Sequence, residues 1–131
     1  MIWVNGKRVE QDHFSAGELK SKLFGCGKER MDIVWHYEND AELFTVMCVR
    51  DYYANHKAIL YIPYLPHARM DRVKNPEDVF TLRTFARVIN SMNFERVYVW
   101  DAHSNVGPAL IDRCVDVSAQ NYIEEAIKEI G

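Results

Sequence analysis

The chain lacks any apolar run near the ~20 residues that cross a bilayer, so no transmembrane segment is read from it. Its start, MIWVNGKRVE, turns polar too soon for a secretory signal. It has only three cysteines, Cys26, Cys48 and Cys114, an odd and scattered set with no Cys-x-x-Cys pair. That usage fits reduced thiols in a cytoplasmic protein and not a disulfide framework. Neither sign of charge dominates: 16 basic against 19 acidic residues give a formal charge of −3. A broad field for nucleic acid or membrane is thereby excluded, and any anion site must be local. Repeats, low-complexity segments and linkers are missing as well.

What is present is enough for one domain with a core: 131 residues, 48% hydrophobic and 12% aromatic. The expectation is a soluble, cytoplasmic, single-domain chain.

Ile2-Trp3-Val4, then Asn5-Gly6, then Lys7-Arg8-Val9 predict a small hairpin, because Asn-Gly accepts positive φ at both turn positions. From Met31 onward strands and helices alternate. Residues 32–36 (DIVWH), 58–62 (AILYI) and 96–100 (RVYVW) read as short apolar strands, with residues 114–117 as a fourth. Asn39-Asp-Ala-Glu42 predicts a capping box for a helix burying Leu43, Phe44, Met47 and Cys48. Asn75-Pro76-Glu77-Asp78 predicts a second helix start. Its buried stripe is expected to be Val79, Leu82, Phe85, Ala86, Ile89 and Met92. Ser118 is expected to cap a last helix, whose apolar pattern runs to Gly131 without a tail, as at a domain boundary. Strands alternating with helices predict an α/β fold: an open, mostly parallel sheet with helices on both faces, plus the N-terminal hairpin.

In such sheets ligands bind at the carboxyl ends of the strands. Three segments qualify: 36–39, 63–75 and 101–105. The middle one, PYLPHARMDRVKN, spans 13 residues, long for a strand-to-helix connection, and carries Arg69, Arg72 and Lys74 around Asp71. On composition alone it is a solvated charged loop. Its coincidence with Asp101-Ala-His103 at one sheet edge points further. Guanidinium groups fork onto phosphate oxygens, so Arg69 and Arg72 suit a polyphosphate. Magnesium takes one or two carboxylates and fills its remaining positions with water and phosphate, a role open to Asp101 or Asp112. A cationic loop facing such a carboxylate is the minimum for phosphoryl transfer. His103 is open between a hydrogen-bonded structural residue and a ligand. With His36 and His67 on the same edge, a three-histidine zinc hydrolase is a further, weaker alternative.

YIPYLPHARMDR, then VWDAHS, then IDRCVD resembles the N-terminal half of ribose-phosphate pyrophosphokinase, also called phosphoribosyl pyrophosphate synthetase. Family members carry a stretch like IPYFxYARQDR, a strand ending Asp-Leu-His-Ala, and FFDIPVDNL. The spacing Asp101, His103, Asp112, Asp116 is kept, and Phe14-Ser-Ala-Gly-Glu18 is similar to the family's Phe-Ser-Asp-Gly-Glu. The short start is most like divergent bacterial and bacteriophage members.

The resemblance implies a type I phosphoribosyltransferase-like fold and a cytoplasmic, Mg²⁺-dependent transferase. Its substrates would be ATP and ribose 5-phosphate, and its product phosphoribosyl pyrophosphate, for nucleotide or NAD synthesis. It implies Arg69 and His103 as catalytic residues. Phe14, Glu18, Arg69, Met70, Asp71 and Arg72 would hold ATP, and Asp101, His103 and Asp112 would lie at the metal. It further implies a homo-oligomer, with no nucleic acid or membrane as partner. Residues 1–131 would be the ATP-side domain. The family's sugar-phosphate loop, Val-Asp-Asp-x-x-x-Thr-Gly-Gly-Thr, has no counterpart here, so a fragment inactive alone is expected. Ala16 stands where the family has an acidic or amide residue and Met70 where it has glutamine. Those two departures keep a non-catalytic regulatory or assembly module as the alternative.

Overall fold

A computed structural model describes residues 1–13, 19–20, 30–67, 75–100 and 106–117. The elements run β1 (Ile2–Val4), β2 (Lys7–Arg8), β3 (Asp12–His13), β4 (Leu19–Lys20) and β5 (Arg30–Trp35). Then come α1 (Ala41–Tyr52), β6 (Lys57–Ile62), α2 (Thr81–Ser91), β7 (Arg96–Val99), α3 (Val106–Leu110) and β8 (Cys114–Asp116). Six strands form one sheet in the order β2-β1-β5-β6-β7-β8, while β3 and β4 pair separately. β1 is antiparallel to both β2 and β5, and β5 to β8 are parallel. This is an α/β, phosphoribosyltransferase-like architecture with a small N-terminal hairpin. No described helix is long and apolar enough to cross a membrane.

The hairpin forms as the Asn-Gly pair requires. Asn5 takes φ +48° and Gly6 φ +82°, the left-handed pair that matches the twist of the flanking strands. The turn is also stitched to β5: Asp32 N–H donates to Asn5 Oδ1 at 2.8 Å, and Asn5 N–H to Asp32 O at 2.9 Å.

The capping box is present. Glu42 N–H donates to Asn39 Oδ1 at 3.2 Å, and Glu42 Oε1 accepts from the N–H groups of Glu38 (2.7 Å) and Asn39 (3.4 Å). The expected buried face of this helix is corrected. Glu42, Thr45, Val46 and Val49 face inward, whereas Phe44 and Met47 are exposed. Glu42 sets the rotation, because its carboxylate also accepts from Trp35 Nε1 and Gln11 Nε2 and pairs with the Met1 ammonium. Positions three, four and seven beyond it then point into the core.

The second helix start is corrected too: α2 begins at Thr81. Asn75 and Asp78 close a turn of their own, in which Asp78 N–H donates to Asn75 O and Asn75 N–H to Asp78 Oδ2. The cap chemistry is spent on that turn, and Val79, expected inside, is exposed. From Leu82 to Ile89 the predicted stripe is buried.

The four parallel strands follow one another across the sheet in chain order. Right-handed crossovers then place α1, α2 and α3 on one face. Strand residues such as Ile33, Leu60 and Val97 pack beneath α1 and α2 in the main core. The opposite face carries a second cluster of Ile59, Tyr61, Tyr98 and Val117, to which no described helix contributes. The helix expected after Ser118 lies outside the described residues.

Candidate functional site

Register brings the ends of β6, β7 and β8 to one edge: Ile62 pairs with Val99, and Val99 with Asp116. The end of β5 reaches the same edge through Val34 and Tyr61. Two of the three segments singled out in the sequence meet here. Tyr37 Oη donates to Asp40 Oδ1 at 2.5 Å, and His67 Nε2 lies 2.7 Å from the same oxygen. A carboxylate only accepts, so the proton of that second bond is on His67 Nε2, and Nδ1 is left as the ring's other nitrogen.

The cluster is framed by aromatic rings. His67 packs on Phe85 of α2 and edge-on to Tyr37, whose ring in turn leans on Trp35. Burial pushes the Tyr37 phenol up to about 12, helped by the bond to Asp40 and by the charges of Asp40 and Glu42. The hydrogen bonds from Tyr37 and then His67 hold the Asp40 carboxyl below its ordinary value. His67 itself sits at φ +63°, a left-handed conformation uncommon for a side-chain-bearing residue. The arrangement fixes an imidazole immediately before, in the sequence, the stretch that carries Arg69, Arg72 and Lys74.

His36 does not join it. Its ring packs edge-on to Trp3, which alternates with the core residues Ile2 and Val4 and so lies on the other face of the sheet. His36 and His67 thus occupy opposite faces, and no group of three metal-ligating side chains is found among the described residues.

Phe14, Glu18, Arg69, Met70, Asp71, Arg72, Asp101 and His103 lie outside the described residues. Asp112 is described, and it stands at the opposite edge, ahead of β8, where its N–H donates to Asn90 Oδ1 at 2.8 Å. The acid that reaches the carboxyl edge is Asp116, beside Val99. Asp40 was not singled out in the sequence, where it reads as part of a helix cap; its partner His67 is 27 residues away.

No protein-family model and no curated protein matches the chain by sequence. Among solved structures, the fold is that of the phosphoribosyl pyrophosphate synthetases. The chain is similar to the phosphoribosylpyrophosphate synthetase from Mycobacterium smegmatis, with a TM-score of 0.68 at 16% identity. The match covers 93% of this chain and 43% of that one, so the chain spans less than half the length of the synthetase. At this identity the likeness is one of fold.

Proposed function

We propose that the chain is the ATP-side domain of a ribose-phosphate pyrophosphokinase, a transferase moving pyrophosphate from ATP to ribose 5-phosphate. The observation that carries this reading is the fold likeness over 93% of the chain to less than half of a synthetase. The motif resemblance of residues 62–72 and 101–116 supports it independently. In this reading Arg69 and Arg72 fork onto the ATP phosphates, with Met70 and Asp71 in the same stretch. Phe14 and Glu18 contact adenine, and His103 acts with Arg69 at the reacting phosphates.

Magnesium enters through the same reading. Bound through substrate phosphates it needs only one or two protein carboxylates, fewer than a three-residue cluster. Asp116 ends β8 beside Val99, and Asp101 follows Val99 by two residues in the sequence; both are carboxylates, the hard oxygen donors that magnesium takes. Asp112, at the other edge, is left out of the proposed set. When bound, the ion would neutralise phosphate charge, while Arg69 and Arg72 orient the nucleotide. Ribose 5-phosphate would bind a second domain, and self-association of the whole protein in the cytoplasm is part of the proposal.

Calorimetric titration of the chain with Mg–ATP tests the reading. Saturable binding that weakens at least about tenfold in Arg69→Ala is expected, the size of losing a charge-assisted fork to phosphate. Absence of binding, alone or joined to a second domain, would favour a non-catalytic module of the same fold, in line with Ala16 and Met70. Synthesis of phosphoribosyl pyrophosphate by the purified 131-residue chain would overturn the half-enzyme part of the proposal.

A further inference from the structure

The amino-terminal edge of the sheet, far from the strand ends just described, carries an uncompensated group of cations. A cavity of about 510 Å³ opens there, and its charged walls are Arg50, His56, Lys57 and Arg113, with Glu95 the single carboxylate. None of the three permanent cations has a carboxylate within 4.0 Å among the described residues.

Both guanidinium groups are instead held by neutral acceptors. Arg50 Nε donates to Met92 O at 2.9 Å, and its Nη1 to Tyr53 O (3.0 Å) and His56 O (3.1 Å). Arg113 Nε donates to Phe94 O at 2.8 Å and its Nη2 to Asn93 Oδ1 at 3.1 Å. Their orientations are therefore fixed while their charges stay unneutralised. Arg50 Nη2 and Arg113 Nη1 have no protein acceptor among the described residues. Among the described residues the Lys57 ammonium is likewise unpaired, and His56 Nδ1 is buried with no hydrogen-bond partner. Pre-oriented guanidiniums with spare donors, beside an ammonium, match a dianionic phosphate better than a single carboxylate.

A second cavity of about 580 Å³ shares Arg50, Ala54 and Asn93 with the first. Its walls turn apolar, with Phe44, Met47 and Met92, and Phe44 is 58% exposed. Asp51 also stands on this wall and repels a phosphate, which directs the anionic end toward Lys57 and Arg113. We infer that the two cavities together bind an organic phosphate monoester, its phosphate on the Lys57 and Arg113 side and its apolar portion against Phe44 and Met47. This site is independent of the ATP reading, because it lies at the other end of the strands.

The test is a titration of the chain with phenyl phosphate and, separately, inorganic phosphate, followed by calorimetry and amide NMR shifts. Phenyl phosphate is expected to bind with a Kd on the order of 1 mM or tighter, and inorganic phosphate about tenfold more weakly. Shifts are expected at residues 55–57, 93–95 and 113. Lys57→Gln removes an exposed group with no bond to lose, so it should weaken both ligands at least about fivefold at unchanged Tm. Phe44→Ala should weaken phenyl phosphate alone. No saturable binding, binding indifferent to Lys57→Gln, or shifts confined to residues 36–40 and 62–67 would each overturn the assignment. Equal affinity for the two probes would overturn its apolar half.

Discussion

Asp40 and His67 meet at 2.7 Å although 27 residues separate them, and the oxygen that receives His67 also receives Tyr37. The contact joins the chain leaving β5 to the chain leaving β6, the two loops that flank the carboxyl edge. It also offsets a local cost. A residue with a Cβ held near φ +63° loses roughly 1–2 kcal/mol relative to ordinary backbone, and His67 is kept there by this bond and by Phe85. The end of the β6 loop, from which residues 68–74 continue, is therefore positioned by a side-chain contact and not by β ladder.

Replacing the carboxylate shows what that contact contributes. Asp40→Asn is expected to lower stability at neutral pH by about 0.5–1 kcal/mol, a small value because the Asp40 side chain is 64% exposed. Folding lowers the Asp40 pKa, so its contribution is present above the ordinary value of 3.8 and is lost as pH falls through the lower folded value. Urea denaturation across that range should show wild type and variant converging in acid.

Tyr37 responds at the other end of the scale. Its phenol is raised from 10.0 to about 12, so the stability it adds is complete below 10 and is lost as pH rises through about 12. In an ultraviolet titration of the folded chain the Tyr37 phenol should ionise late, and Tyr37→Phe should remove one tyrosine from the late-ionising component.

Glu42 is only 5% exposed, and its carboxylate gathers the Met1 ammonium, Trp35 Nε1, Gln11 Nε2 and two backbone N–H groups. Burial by itself would raise its pKa. The hydrogen bonds from the ammonium, Glu38 N–H and Gln11 outweigh burial and lower it. Glu42→Ala leaves these donors unpaired and is expected to cost about 3 kcal/mol in chemical denaturation. The stabilisation by the carboxylate should fade as pH falls through its lowered pKa.

The hairpin turn gives a purely conformational test. A Cβ at Gly6 would meet nothing within 4 Å, so the cost of Gly6→Ala comes from φ +82° alone. About 1 kcal/mol is expected in thermal denaturation, and less for Gly6→Asn, which tolerates the left-handed region.

Much of the architecture is legible in short stretches of the chain. Asn5-Gly6 specifies its turn because only residues tolerant of positive φ fit both positions. The three apolar runs specify strands, and their chain order specifies a parallel sheet, because each helix between them must return the chain to the same edge. Asn39 and Glu42 specify a helix start through bonds made within four residues. The start of α2 shows the limit of that locality: Asn75 and Asp78 have the chemistry of a cap but spend it on a separate turn. The five-residue α3 gave too short a pattern to be read.

What the sequence by itself determined, then, is what rests on neighbouring dihedrals and on bonds spanning three or four residues: the Asn5-Gly6 turn, the short apolar strands and the helix start at Asn39 and Glu42. Tertiary structure decided what depends on partners far apart in the chain. The inward face of α1 follows from Glu42 reaching Trp35 and Met1, contacts that no helical periodicity contains. The separation of His36 from His67 follows from strand parity, which turns His36 toward Trp3, and from the contact of His67 with Phe85 on the helix-covered face. Asp112 is set at the amino edge and Asp116 at the carboxyl edge by the pairing of β8 with β7. The bond from Asp40 to His67 exists only because parallel pairing brings the ends of β5 and β6 side by side.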